Sequence, residues 1–434
     1  MDYENKDLSN VQNPYSNIVA LNVDMKVDNH FIDNNLNKKE KIIFIIKIIT
    51  AILYFIFIIC IENLYRDPLF SKSITIQESI RKKHEKNSSF YQFWEFMSLF
   101  GLAKITFPIF AIIFLFFPLS SSYLTLQVLI YSIYVTNLFK IIYRNGRPYW
   151  YSDILDIVCN SGYGNPSGHS LTSAAFYPTL PHIFTNFAFF KKDMIRKILR
   201  IIIFVLFHIL GFLVMISRVI LAAHSLNQII YGFTLGIGIY FIMIHIISYH
   251  TLPSISFIKH IKRFPTILIY MSIHITLLVA LIILYFVIDD DKVIKEYVYR
   301  YIYNGIRCER KKEYLMLKND GFFQALAITS MLGAHLGMII LIFLLNKFNY
   351  IINEYIVEFN KSSVKRWFLR LPVLLLSGIF ILLNFFVSGS NDLSIVFLFK
   401  SAISFFLTTL GLFSLGIFLC IRFNIANENI EKMK

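Results

Sequence analysis

Charge is scarce in this sequence. Only 16% of its 434 residues are Asp, Glu, Lys or Arg, against about 25% in a typical soluble domain, so a water-soluble globular chain is excluded at the outset. Cysteine is scarcer still, and four residues are too few for a disulfide framework. The CxxC and HExxH zinc patterns, the Walker A loop and GxGxxG are all absent. No cluster of carboxylates or cysteines stands ready to hold a metal, and no cofactor is expected. The first 41 residues lack the basic and apolar regions of a cleavable signal peptide. Internal repeats are missing too.

What the chain has instead is apolar length. It is 56% hydrophobic with 44 Phe, and runs of 18 or more apolar residues, each a candidate membrane span, recur along it. The expected fold is an all-α, polytopic membrane protein of about ten transmembrane helices, near 42–62, 97–117, 122–143, 169–190, 198–217, 225–248, 266–287, 324–345, 369–388 and 397–421. Pro178 and Pro181 interrupt the fourth, which polar contacts with neighbouring helices would tolerate. Residues 1–41, polar and rich in Asn and Asp, read as a disordered cytosolic tail, and the first span as the insertion signal. The net charge of +15 is scattered over loops. That pattern points to anionic headgroups or substrates rather than nucleic acid. With the tail cytosolic, the basic stretch KKDMIRKILR at 191–200 faces the cytosol as the positive-inside rule prefers, although the equally basic 288–323 loop would be translocated. Cys159 and Cys308 fall in loops on one predicted side, which leaves a bridge open.

Polar residues at membrane depth are costly, so three clusters at span ends carry information. Lys140, Arg144 and Arg147 leave the third span at i, i+4, i+7, which is one face if the helix continues, and Pro148 limits that continuation. The stretch GNPSGHSLTS at 164–173 opens the fourth span, with Ser167 as a candidate N-cap and His169 in the first turn. Ser217, Arg218, His224 and Gln228 lie between the fifth and sixth spans. Each cluster taken singly also suits headgroup snorkelling or helix packing. All three, however, fall on one predicted non-cytosolic surface. Together they offer fixed positive charge, neutral donors at a helix start and two histidines. That set suits metal-free phosphoryl transfer, with cations spreading charge, one His attacking and the other protonating a leaving oxygen.

The blocks Lys140…Arg147-Pro148, Pro166-Ser167-Gly168-His169 and Ser217-Arg218…His224 resemble, in order and spacing, the signature of the type 2 phosphatidic acid phosphatase superfamily. The resemblance covers about 140–228 directly. By implication it extends to a six-helix phosphatase core over 42–248, with 249–434 as C-terminal membrane helices of unknown role. It implies that His224 is a nucleophile forming a phosphohistidine and that His169 is the acid and then the base. Lys140, Arg147, Ser167, Gly168 and Arg218 would hold the phosphate oxygens. No metal is implied.

One position departs. Where the family commonly has Asp, four residues after the nucleophile, this chain has Gln228. An amide can orient the imidazole but cannot supply charge, and in the comparable serine-protease triad an amide in the Asp position costs about 10⁴ in rate. On this reading Gln228→Asp should preserve or raise the rate. RPYW at 147–150 and Gln228 resemble the glucose-6-phosphatase branch. The expected partners are therefore a membrane and a phosphorylated lipid or, alternatively, a sugar phosphate. A non-catalytic binder or transporter retaining the fold is a third reading, and a vanadate haloperoxidase a fourth, set against the membrane setting. The expected location is the endoplasmic reticulum or another endomembrane, or the plasma membrane. His335 reads as a packing hydrogen-bonder, and Glu358 and Lys361 lie outside the motif.

Overall fold

The computed structural model describes residues 38–116, 119–155, 162–184, 193–248, 317–347 and 395–422, with isolated positions at 268–283 and 372. The chain divides into residues 1–43 and 44–434, and the site lies in the second unit. Among the described residues the structure is helical, without strands. In chain order the helices are α1 (Lys38–Lys83), α2 (Ser89–Leu99), α3 (Ala103–Phe116), α4 (Leu119–Tyr143), α5 (Gly168–Phe184), α6 (Asp193–Ile220), α7 (Leu226–Phe241), α8 (Leu317–Lys347) and α9 (Ile395–Arg422). A 3-10 turn at Pro148–Trp150 follows α4, and a π-helical segment at Ile242–Ser248 extends α7.

Among the described residues, four helical stretches are long and apolar enough to cross a membrane: Ile42–Lys83, Leu124–Trp150, Lys197–Ile220 and Leu226–Ile246. Ile45, Ile49, Phe57, Ile201 and Phe212, on α1 and α6, leave broad apolar surface uncovered, as lipid-facing helices do. The chain is an integral membrane protein. The expected seventh and ninth spans, and Cys159, Cys308, Glu358 and Lys361, lie outside the described residues, apart from isolated helical positions in each span.

Two expected boundaries move. The first span does not end at Ile61–Glu62; α1 runs on through Pro68 to Lys83. Its continuation is polar on one side, and Glu62 and Arg66 form an i,i+4 ion pair there. The second apolar run is not one helix. It breaks at 100–102 between α2 and α3, where the Phe100 and Gly101 amides bond back to Met97 and Ser98. By contrast α5 runs unbroken over both prolines. Thr179 Oγ1 donates to the Ala175 carbonyl at 2.8 Å, beside the Ala174 and Tyr177 carbonyls whose i+4 amides the prolines remove.

The bundle is organised around α5, which packs against α4, α6 and α7, while α8 pairs with α9 and lies on α4. Between helices in lipid, small residues that let backbones approach replace the hydrophobic drive. Gly232 and Gly236 of α7 show this. A Cβ on Gly232 would come 2.6 Å from the Ser167 carbonyl, and one on Gly236 would come 2.7 Å from Ala174 Cβ. The crossing therefore sets the start of α5 directly on α7. His335 is buried on α8, its ring edge-on to Tyr131 of α4.

Candidate active site

The three polar clusters converge. The Gly164 amide donates to the Asn145 carbonyl at 2.8 Å, joining the second cluster to the first. The Ser167 amide donates to the Gln228 carbonyl at 3.0 Å, joining the second to the third. Gln228 Nε2 donates to the Gly146 carbonyl at 2.7 Å and closes the ring between third and first. Each is a buried amide–carbonyl bond, costly to leave unmade.

Local sequence explains each loop. Helix α4 does not continue through Arg147. Arg144 takes a left-handed φ of 48°, its buried guanidinium turns back so that Nε donates to the Ile141 carbonyl at 3.0 Å, and Pro148 starts the 3-10 turn. The expected single face of Lys140, Arg144 and Arg147 is thus broken. Lys140 stays on the last turn of α4, while buried Arg147 is carried across to the third cluster. At the second loop Ser167 does cap α5, its Oγ accepting from the Ser170 amide at 3.4 Å. His169 sits in the first turn, its ring against Gly101 in the α2–α3 break. Its Nε2 is buried without a hydrogen-bond partner.

His224 precedes α7 rather than lying on it, with Ser225 as the N-cap. Gln228, at N3, folds back: its Oε1 accepts from the Ser225 amide at 3.3 Å and faces His224 Nδ1 at 3.2 Å. Ser225-Leu-Asn-Gln228 is the S-x-x-Q form of a capping box, a signal present in the sequence that the i,i+4 reading passed over. His224 Nδ1 also faces the Gly164 carbonyl at 2.9 Å. Two acceptors place the proton on Nδ1 and leave the Nε2 lone pair outward, where Arg147 Nη1 meets it at 3.1 Å. Arg147 is itself fixed by bonds to the Gly162 carbonyl at 2.7 Å and the Ala223 carbonyl at 2.9 Å. Glycine is needed at 164, since a Cβ there would lie 2.5 Å from Gln228 Nε2.

Charge around the imidazole is of one sign. Burial first, then Arg147, Arg218, Lys140 and His169, hold His224 well below the usual histidine range. The ring is therefore neutral at pH 7. Arg218, buried at the end of α6, donates through Nη1 to Ser98 Oγ of α2 at 2.5 Å, while its Nε has no hydrogen-bond partner. The structure thus brings together His224, Gln228, Arg147, Ser167 and Gly168, with His169, Arg218 and Lys140 as charged or titratable neighbours. Sequence reading missed Ser98, Asn145, Glu62 and Gln77. Asn165 Nδ2 donates to buried Glu62 at 2.8 Å, and Gln77 donates to the His224 carbonyl at 2.8 Å. These are single polar residues on distant helices, with no motif to mark them.

Gln228 works at both ends, which revises the expectation for Gln228→Asp. A carboxylate would replace the Nε2 donor with an oxygen or leave the Gly146 carbonyl unmatched, so the substitution is expected to impair the site.

Fold and site together define an integral membrane protein with a cation-lined, two-histidine site among the loops of one helix bundle. Residues 122–252, from α4 through α7, match the PAP2 superfamily. The resemblance read from the three blocks is borne out there. Glucose-6-phosphatase catalytic subunit 1 of Bos taurus is 29% identical over 119 residues, 23% of this chain and 33% of that protein. Phosphatidylglycerophosphatase B of Bacillus subtilis is 29% identical over 92 residues, 21% of this chain and 42% of that protein. The matched stretches thus span less than half of either relative. A crystal structure of a transmembrane PAP2-type phosphatidylglycerolphosphate phosphatase from Bacillus subtilis superposes with a TM-score of 0.38 at 21% identity, over 44% of this chain and 93% of that one.

Proposed function

We propose that this chain is a metal-independent membrane phosphatase that hydrolyses a phosphomonoester, or a pyrophosphate, of a lipid on the non-cytosolic face. The observation that carries the reading is the fixed His224 ring, proton on Nδ1 toward Gly164 and Gln228, Nε2 toward the Arg147 guanidinium. In the proposed step a proton carried in on the substrate phosphate passes to His169, His224 Nε2 attacks phosphorus, the P–O bond to the leaving group breaks, and that oxygen takes the proton from His169. Water then attacks the phosphohistidine, gives its proton to His169, and the P–N bond breaks. Lys140, Arg147 and Arg218, with donors at Ser167 and Gly168, would spread charge over the phosphoryl oxygens. A site among apolar helices favours an amphiphilic substrate. The non-cytosolic assignment follows from the orientation expected from the sequence, with residues 1–41 in the cytosol and the three site loops on the opposite side.

A second reading, a sugar phosphatase, is favoured by Gln228 and by the match to glucose-6-phosphatase. Phosphate release by the purified protein from phosphatidate, phosphatidylglycerol phosphate, sphingosine phosphate and glucose 6-phosphate separates the two. The lipids are expected to turn over fastest, with activity undiminished by excess chelator and inhibited by vanadate. Preference for glucose 6-phosphate would replace the first reading with the second, and no turnover of any of them would remove both.

A further inference from the structure

Helix α1 lies upstream of the segment matched to the PAP2 superfamily, yet its second half reaches all three site loops through side chains. Glu62 accepts from Asn165 Nδ2 at 2.8 Å, just ahead of the α5 cap. Glu78 accepts from Ser152 Oγ at 2.5 Å, after the 3-10 turn that follows Arg147. Ser73 Oγ accepts from the Leu226 amide at 3.0 Å. Gln77 Nε2 donates to the His224 carbonyl at 2.8 Å and to the Val219 carbonyl at 3.1 Å. Glu62, Ser73 and Gln77 are buried and fall on one face, three turns and then one turn apart.

The Gln77 contacts are the most informative. Residues 219–224 are the hinge between the end of α6 and the nucleophile position. Its turn is built from the Ala222 amide to the Val219 carbonyl at 3.0 Å and the His224 amide to the Arg218 carbonyl at 3.2 Å. Ala222 adopts φ 50°, a left-handed conformation that a Cβ-bearing residue keeps only where its surroundings enforce it. One amide group from α1 holds the carbonyls at both ends of that turn. Arg147 bonds the Ala223 carbonyl between them from the opposite cluster, and Ser73 holds the Leu226 amide two residues beyond His224. Neither α1 residue is placed to touch a phosphate bound at His224 Nε2, because both contact backbone.

We infer that the second half of α1 is a brace for the site, and that Gln77 is a positioning residue that clamps the Val219 and His224 carbonyls and so fixes where His224 presents its ring. The kinetic side of this inference rests on the phosphatase reading; the structural side does not.

The test compares the full-length, detergent-solubilised parent with Gln77→Leu, Gln77→Glu and His224→Ala, by turnover on the substrate panel and by hydrogen exchange of the peptide spanning 219–226. Gln77→Leu should raise exchange in that peptide at least about tenfold with little change in the start of α5. It should lower kcat by about 10²-fold, the scale expected of a small misplacement of a reacting group, with KM little changed. Gln77→Glu sets a carboxylate against two carbonyls at neutral pH and should regain activity as pH falls and the carboxyl becomes a donor, a profile the parent lacks. That acid recovery keeps the test alive should Gln77→Leu fold poorly. Parent-like exchange in Gln77→Leu, or a parent-like pH profile in Gln77→Glu alongside an inactive His224→Ala, overturns the brace while the phosphatase reading stands. A parent inactive on the whole panel sinks the phosphatase reading, and the exchange result alone then decides the brace.

Discussion

Gln228 is the residue on which chemistry and local structure meet. As N3 of α7 it satisfies the Ser225 amide, it accepts from His224, and its amide nitrogen holds Gly146. An Asp would give the imidazole a counter-charge and lose the Gly146 bond. Both Gln228→Asp and Gln228→Leu are therefore expected to lower kcat, the second by about 10²-fold or more through the unfixed tautomer, measured as phosphate release. A Gln228→Asp protein faster than the parent would restore the carboxylate argument and show that the Gly146 bond is dispensable. His224 also makes stability depend on pH. Its folded-state pKa lies below the ordinary value of about 6.5, so between those values the unfolded chain binds the extra proton. The stability from the neutral, buried ring is complete above about pH 7 and is lost as pH falls below about 6.5. Thermal melts in detergent from pH 8 to 5 should show that decline, and His224→Asn should flatten it. An equally steep acid decline in His224→Asn would assign the effect to other groups.

At the scale of elements, the α5–α7 crossing determines whether the cap of α5 meets the His224 loop. Gly236→Val would drive a branched side chain into the Leu171 and Ala174 turn. Overpacking of this kind costs about 1–3 kcal/mol, and the variant is expected to melt earlier and to lose activity together. Unchanged melting would mean that the helices are less closely set. The same scale shows what was legible in sequence. Ser167 as the start of α5, and the three clusters as one site, follow from turn residues and from the cost of charge at membrane depth. The continuation of α1 to Lys83 does not, because the apolar run stops near Glu62 and Pro68 signals a break that the helix absorbs. Nor does the α2–α3 break, since hydropathy averages over a turn made of Phe100 and Gly101. Arg144 was misplaced because i,i+4,i+7 spacing has meaning only while a helix lasts, and a left-handed residue ended it.

At the scale of the whole molecule, orientation is the open axis. Asn87, exposed in the turn between α1 and α2, begins the sequon Asn87-Ser88-Ser89, and Asn360-Lys361-Ser362 is a second, outside the described residues. With a cytosolic tail, expression in a glycosylating host should modify Asn87 and leave Asn360 bare, read as mobility shifts removed by Asn87→Gln. A glycan on Asn360 alone would invert the chain and turn the site to the cytosol.

The central claim is that His224 carries the phosphoryl group, and the most direct measurement is to trap it there. His169→Ala, which lacks both the proposed leaving-group acid and the residue proposed to activate water, is incubated with a phosphorus-labelled aryl phosphate whose leaving group departs without protonation, quenched without acid, digested and mapped by mass spectrometry. The account predicts phosphate on His224 in His169→Ala, and neither label nor turnover in His224→Ala. Label on any other residue, or near-parental phosphate release by His224→Ala, would contradict it.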